Sequence, residues 1–80
     1  MYYVYILRCE DKSFYTGIAT DVERRFKEHC AGTGGRYTRS HAPEKIIYRE
    51  EASTRSAALK REAEINSWPR EKKIRLIAGR

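Results

Sequence analysis

Glu62 is the residue of this chain whose position first asks for a chemical explanation. On an ideal helix it shares a face with Ala58, Ile65 and Asn66, with Leu59 and Ala63 beside it, while Lys60, Arg61 and Glu64 point elsewhere. A carboxylate on the inward stripe of a helix is costly unless something compensates its charge. A salt bridge to an Arg or Lys of a neighbouring strand would do so, and so would a divalent cation.

Arg25 and His29 form a second candidate pair, one helical turn apart beside the Val22–Phe26 stripe. A guanidinium there can grip a phosphate through two hydrogen bonds. The imidazole can donate to phosphate or relay a proton near neutral pH. The alternative is a solvated flank with Arg25 paired to Asp21. Six tyrosines are many for so short a chain, and Tyr3, Tyr5 and Tyr15 gather near the N-terminus. Phenols on a sheet serve as amphipathic packing, as hydrogen-bond donors to phosphate or, with a lowered pKa, as a general base. Gly17 either makes a bulge at a strand end or lets another backbone approach closely. The segment from Gly32 to His41 (GTGGRYTRSH) is glycine-rich and basic. It reads as a mobile loop whose backbone N–H groups, with Arg36, Tyr37 and Arg39, can meet phosphate. It is not a P-loop, because no Gly-Lys-Ser/Thr follows.

The elements that must position these residues can be read in order. Met1 to Arg8 is rich in β-branched and aromatic residues and reads as a strand with Val4 and Ile6 on one face and Tyr3, Tyr5 and Leu7 on the other. Cys9 to Ser13 is turn-like, and Phe14 to Ile18 is a second, antiparallel strand. Thr20 to Glu23 has the capping-box pattern, which starts a helix running to about Ala31, with Val22, Phe26 and Cys30 as its apolar stripe and Gly32 as its stop. Glu44 to Glu50 reads as a third strand. Ser53 or Thr54 caps a second helix ending near Trp68, since Pro69 restricts the residue before it. A short last helix has Pro69 in its first turn, Ile74 and Ile77 inward, and Gly79 as its close. The order β-β-α-β-α-α predicts an α/β chain of the α+β sandwich kind, a three-stranded antiparallel sheet flanked by helices.

Composition bounds what such a fold can do. At 80 residues the chain is one domain, 1–80, too small to enclose a large organic cofactor, so its site should be a shallow groove. A formal net charge of +6 favours a polyanionic partner. Cys9 and Cys30 are too few for a disulfide framework, no leader-like segment opens the sequence, and the chain reads as reduced and cytoplasmic. No apolar run is long enough for a membrane span. A zinc site from Cys9, His29, Cys30 and His41 lacks paired-ligand spacing.

Taken together, these positions resemble the GIY-YIG nuclease superfamily, and within it the small stand-alone single-domain bacterial members. Tyr3-Val4-Tyr5 corresponds to the first motif, with Tyr3 in place of Gly and Val4 in place of Ile, and Tyr15-Thr16-Gly17 to the second. Thr20 to His29 (TDVERRFKEH) resembles the arginine helix, and Ala57 to Ile65 (AALKREAEI) the glutamate helix. An asparagine that some larger members carry beyond that helix has no counterpart, since Ile77 lies near that distance.

The resemblance implies one Mg²⁺ or Mn²⁺ ion held by Glu62 as metal ligand, with Tyr5 activating water, Tyr15 holding phosphate or water, and Arg25 and His29 stabilising charge and moving protons. It implies nucleic-acid contacts at Gly17, Arg36, Tyr37 and Arg39. The expected substrate is DNA, with RNA as an alternative, in repair or processing. The expected state is a monomer, with a protein partner for targeting. A nucleic-acid-binding module with weak or lost catalysis is the competing reading.

Overall fold

Over the described residues, the sequence pattern becomes three strands and four helices. A computed structural model describes residues 1–79, and Arg80, the end of the expected 1–80 domain, lies outside them. The elements are β1 (Tyr2–Cys9), β2 (Phe14–Ala19), α1 (Val22–Cys30), α2 (Arg36–Ser40), β3 (Pro43–Ala52), α3 (Arg55–Asn66) and α4 (Arg70–Ile77). The sheet is antiparallel in the order β2-β1-β3, so β1 is central. The expected α+β architecture and its element order are present.

The central place of β1 explains its unbroken run of Val4, Tyr5, Ile6 and Leu7, all buried. A strand covered on both faces has no need of polar alternation. On one face Val4 and Ile6 pack with Ala58 and Ile65 of α3 and with Leu76 and Ile77 near the C-terminus. On the other, Tyr5 and Leu7 pack with Val22 and Phe26 of α1. The division of β1 side chains between faces is the expected one. The Tyr5 face, however, is a second core and not an open groove: Tyr5 is 1 % exposed.

Helix α1 starts one residue later than the capping-box pattern suggests. Asp21, not Thr20, accepts the Arg24 N–H at 3.1 Å. Both residue types cap well, and Asp21, whose carboxylate also suits the positive end of the helix dipole, takes the position here. The one-residue shift matters little to the helix face, but at its far end Cys30 is exposed and His29 takes the inward position. For α3, Thr54 is the cap, accepting Ala57 N–H at 3.0 Å. Within the glycine-rich segment, residues 36–40 wind into α2, where a plain loop is expected, and Thr38 is buried. Strand β3 begins at Pro43 and runs to Ala52, longer than expected, with register shifts opposite Ile6/Leu7 and Arg8/Cys9.

Candidate active site

Antiparallel register puts the phenols together. Tyr5 pairs with Gly17, and Leu7 pairs with Tyr15, so Tyr5 and Tyr15 project from the same face of neighbouring strands. Their ring centroids are 6.3 Å apart. Gly17 is buried beneath them. Its sequence context suggests the approach of a substrate backbone, yet the group that approaches is the Tyr5 phenol. A Cβ at this position would lie 2.6 Å from Tyr5 Oη and 2.8 Å from Cζ. Gly17→Ala is therefore expected to push the phenol off His29 and to destabilise the fold by about 1–3 kcal/mol, as overpacking does. Thermal unfolding and the His29 ring-nitrogen shifts are the check; an unchanged Tm with unchanged shifts would contradict it.

His29 joins the phenols from α1. Tyr5 Oη lies 2.9 Å from His29 Nε2, and His29 Nδ1 lies 2.6 Å from Thr38 Oγ1. The Thr38 hydroxyl in turn faces the Gly35 carbonyl at 3.5 Å. This chain of contacts has one consistent direction. Thr38 donates to Gly35 and accepts from Nδ1–H, which leaves Nε2 bare to accept the Tyr5 proton donor. Gly34 makes the packing feasible, because a Cβ there would stand 2.7 Å from the His29 backbone Cα.

Burial, then the charge of Arg25, pushes the His29 imidazole below its ordinary 6.5. The folded protein thus prefers neutral His29. The unfolded chain takes up the proton more readily, so this contribution to stability is whole above about 6.5. It is lost as pH falls from there through the lower folded value. Ring-nitrogen titration followed by NMR, beside unfolding midpoints between pH 7 and 5, should show both effects. An imidazole that titrates above 6.5 would overturn the inference.

Arg25 is fixed differently from its expected alternative. Asp21 is occupied as the cap, and Arg25 donates to Glu28 Oε1 at 2.9 Å and to the Gly34 carbonyl. A guanidinium carries five N–H donors, so others remain for a ligand. Its positive charge acts on Tyr5 and on Tyr15, favouring their ionised forms. Burial prevails for both, raising Tyr15 and pushing Tyr5 up to about 12.

Glu62 reaches the same locality from α3. Its negative charge opposes ionisation of both phenols. Helix α3 carries Glu62 between the buried Ala58 and Ile65, as the helical stripe predicts, whereas Leu59 and Asn66 are exposed. The carboxylate is half-buried and makes no salt bridge or hydrogen bond to another described residue. Burial raises its pKa. The alternative of an ion pair with the sheet is not realised, since the sheet-facing guanidinium of α3, Arg61, pairs with Glu50 at 2.9 Å and with Glu64 at 2.6 Å.

Beyond these residues runs a column of rings. Tyr15 stacks on Tyr37 with centroids 5.8 Å apart, and Tyr37 stacks on His41 at 4.1 Å. His41 Nδ1 is 2.5 Å from Asp11 Oδ2, which ties the column to the β1–β2 turn. Arg36 and Arg39 are exposed on either side of Tyr37. Asp11 has no counterpart among the sequence-derived candidates, and Gly34, Thr38 and His41 enter there only within the Gly32–His41 segment or, for His41, the zinc set, with no hint of these contacts. The Gly34-Gly35 pair was a signal for close packing on α1, but it is equally a loop signal.

Among the described residues no group of three or more His, Cys, Asp or Glu gathers as a metal site, so Cys9, His29, Cys30 and His41 do not form one. No described helix is long and apolar enough to cross a membrane.

Comparison with known proteins identifies the family. Residues 1–75 match the GIY-YIG catalytic domain. A UPF0213 protein of Haloquadratum walsbyi is 56% identical over 75 residues, 94% of this chain and 84% of that protein. A UPF0213 protein of Staphylococcus saprophyticus is 46% identical, over 96% of this chain and 94% of its own. The solution NMR structure of a UPF0213 protein from Bacillus halodurans is 40% identical, with a TM-score of 0.61 and coverage of 98% and 84% of the two chains.

Proposed function

Since this chain belongs to the GIY-YIG catalytic-domain family, a nuclease superfamily, we propose that it is a divalent-metal-dependent nuclease that hydrolyses phosphodiester bonds in DNA at a surface site formed by the half-buried Tyr15, Arg25 and Glu62, with Tyr5 and His29 buried behind it. The observation that carries the reading is the convergence of a directed Tyr5–His29–Thr38 hydrogen-bond chain with an unpaired, half-buried carboxylate.

The donor set suits one hard cation. A single half-buried carboxylate without an ion-pair partner among the described residues matches Mg²⁺ or Mn²⁺, which keep several waters and take substrate phosphate oxygens as further ligands. When bound at Glu62, such an ion would supply Lewis-acid polarisation of the scissile phosphate.

The chain's own groups do the rest. As water oxygen bonds to phosphorus, its proton passes to Tyr5 Oη while the Tyr5 proton passes to His29 Nε2. The Nδ1–H bond to Thr38 holds the ring in the tautomer able to receive it. The P–O bond to the leaving sugar oxygen then breaks with its electron pair staying on that oxygen, which takes a proton from solvent, and the proton on His29 returns to solvent through Tyr5. Arg25, clamped by Glu28 and Gly34, offers its free N–H groups to the charge that builds on phosphate. Tyr15, which is more exposed than Tyr5, positions phosphate or water at the mouth. Arg36, Tyr37 and Arg39 contact the flanking strand. Gly17 serves by leaving space for Tyr5. A role in repair or processing, a cytoplasmic setting, a monomeric state and a targeting partner belong to the same reading.

The test is incubation of the purified chain with single-stranded, duplex and branched DNA, and with RNA, with Mg²⁺, Mn²⁺ or a chelator. Cleavage of DNA that needs the cation supports the proposal. Salt-dependent binding without products selects the alternative, a nucleic-acid-binding module with weak or lost catalysis.

A further inference from the structure

The opposite face of the sheet carries a second concavity that takes no part in the chemistry above. It has a volume of about 430 Å³ and lies at the hairpin end of the sheet, against α4. Its apolar lining is Phe14, Ile47, Ile74 and Ile77. Its rim is cationic, with Lys12 and Lys45 beside Arg8 and Arg70.

The rim charges are not all spent. Arg8 pairs with Glu44 at 2.8 Å. The Arg70 guanidinium lies 4.1 Å over the Phe14 ring and gives one N–H to the Lys12 carbonyl at 2.8 Å. Lys12 and Lys45 form no salt bridge with a described residue, and both act electrostatically on the Glu44 carboxylate that Arg8 holds. A cavity of this size with an apolar bed and a rim of four cations against that one carboxylate suits a compact anion with a flat body. A guanidinium stacked on a ring presents a second planar surface of the kind on which bases stack.

We propose that this cavity binds one nucleotide of an unpaired DNA strand, its base against Phe14, Ile74 and the Arg70 plane and its phosphate on Lys12 and Lys45; the identity of the strand rests on the nuclease reading. Position supports this occupant. Phe14 and Tyr15 are consecutive residues of β2, and their side chains serve opposite faces of the sheet. Strand β2 is an edge strand. A strand leaving the phenol groove can pass around that edge and reach the cavity within the thickness of one sheet. The cavity therefore favours substrates with a single-stranded arm beside the cut.

Titration of the full-length chain with thymidine monophosphate, inorganic phosphate and an acidic hexapeptide, followed by amide NMR shifts, addresses the site directly. The nucleotide should move Lys12, Phe14, Lys45 and Ile74, and inorganic phosphate should bind about fivefold or more weakly, because it lacks the stacking contribution. Ile74→Glu and Lys45→Glu, at exposed positions, should remove these shifts and lower affinity for a flapped duplex about tenfold while sparing blunt duplex; circular dichroism verifies their fold. The site is refuted by shifts confined to Tyr15, Tyr37 and their neighbours, by equal binding of phosphate and nucleotide, or by tighter binding of the peptide. None of these readouts needs cleavage. A chain that cuts no DNA yet holds the nucleotide here keeps the site and loses the nuclease reading, and one that cuts DNA with this cavity silent does the reverse.

Discussion

Replacing Glu62 by glutamine is expected to lower DNA cleavage by about 10²–10⁴-fold, the range in which loss of a bound Lewis acid falls, while leaving the fold as it is. Glutamine preserves the shape of the side chain and removes only its charge. The position tolerates a neutral side chain, because burial already raises the carboxyl and no described cation pairs with it. Stability should hold or rise slightly, as happens when an uncompensated buried charge is removed. A structural ion pair would behave oppositely, with a fall in Tm and little change in rate. There is a second consequence at the phenols. The Glu62 charge opposes ionisation of Tyr5 and Tyr15, so both should titrate at lower pH in the variant. Ultraviolet-monitored titration of the free protein reads this shift without any metal or substrate.

Tyr5→Phe is expected to lose about 10²–10⁴-fold in rate, the usual contribution of a positioned acid–base group, and to lose it at every pH. A change in pH cannot restore a hydroxyl that is absent. Tyr15→Phe should retain more activity, since its hydroxyl is outside the Tyr5–His29 chain. The two variants also part in stability. Tyr5 is raised to about 12 in the folded protein, against 10.0 ordinarily. With a raised folded value, the stabilising contribution of the protonated phenol is whole below about 10 and fades as pH rises from there through 12. Tyr5→Phe should remove that alkaline limb from the stability profile and leave His29 without its Nε2 partner, so the imidazole resonances should move. Equal rates for Tyr5→Phe and wild type would remove Tyr5 from the chemistry and leave it as core.

Much of the fold and part of the site is legible in the sequence. The β1 alternation separates Val4 and Ile6 from Tyr3, Tyr5 and Leu7, because a strand has period two whatever packs on it. Glu62 stands out because a helix has a face, and Ala58 and Ile65 mark it. What could not be read was the number of layers. An apolar run such as Val4 to Leu7 is compatible with one covered face or two. Only the docking of α1 decides that Tyr5 is buried and that the groove lies at Tyr15 and outward. The cap of α1 was ambiguous for a local reason: Thr20 and Asp21 are adjacent and both suited. Helix α2 was invisible for a non-local one. Five residues after a Gly-Gly pair have little intrinsic helicity, and their conformation depends on Thr38 meeting His29 from another element. The same contact accompanies the stacking of Tyr37 on the Tyr15 ring, so a link between this segment and the phenols could be guessed from sequence but its support could not. Arg25 shows the limit of pair rules on a helix, since Asp21 and Glu28 are both within reach and the cap claims the former.

The most direct test of the central claim is single-turnover cleavage of a labelled branched DNA by wild type, Glu62→Gln and Tyr5→Phe, each at saturating protein, in Mg²⁺ and in chelator. The account predicts cation-dependent cleavage by the wild type, near-background rates for both variants, and similar DNA affinity for all three. Cleavage by Glu62→Gln at the wild-type rate in limiting Mg²⁺, or no cleavage by the wild type on any branched, single-stranded or duplex DNA, would contradict it.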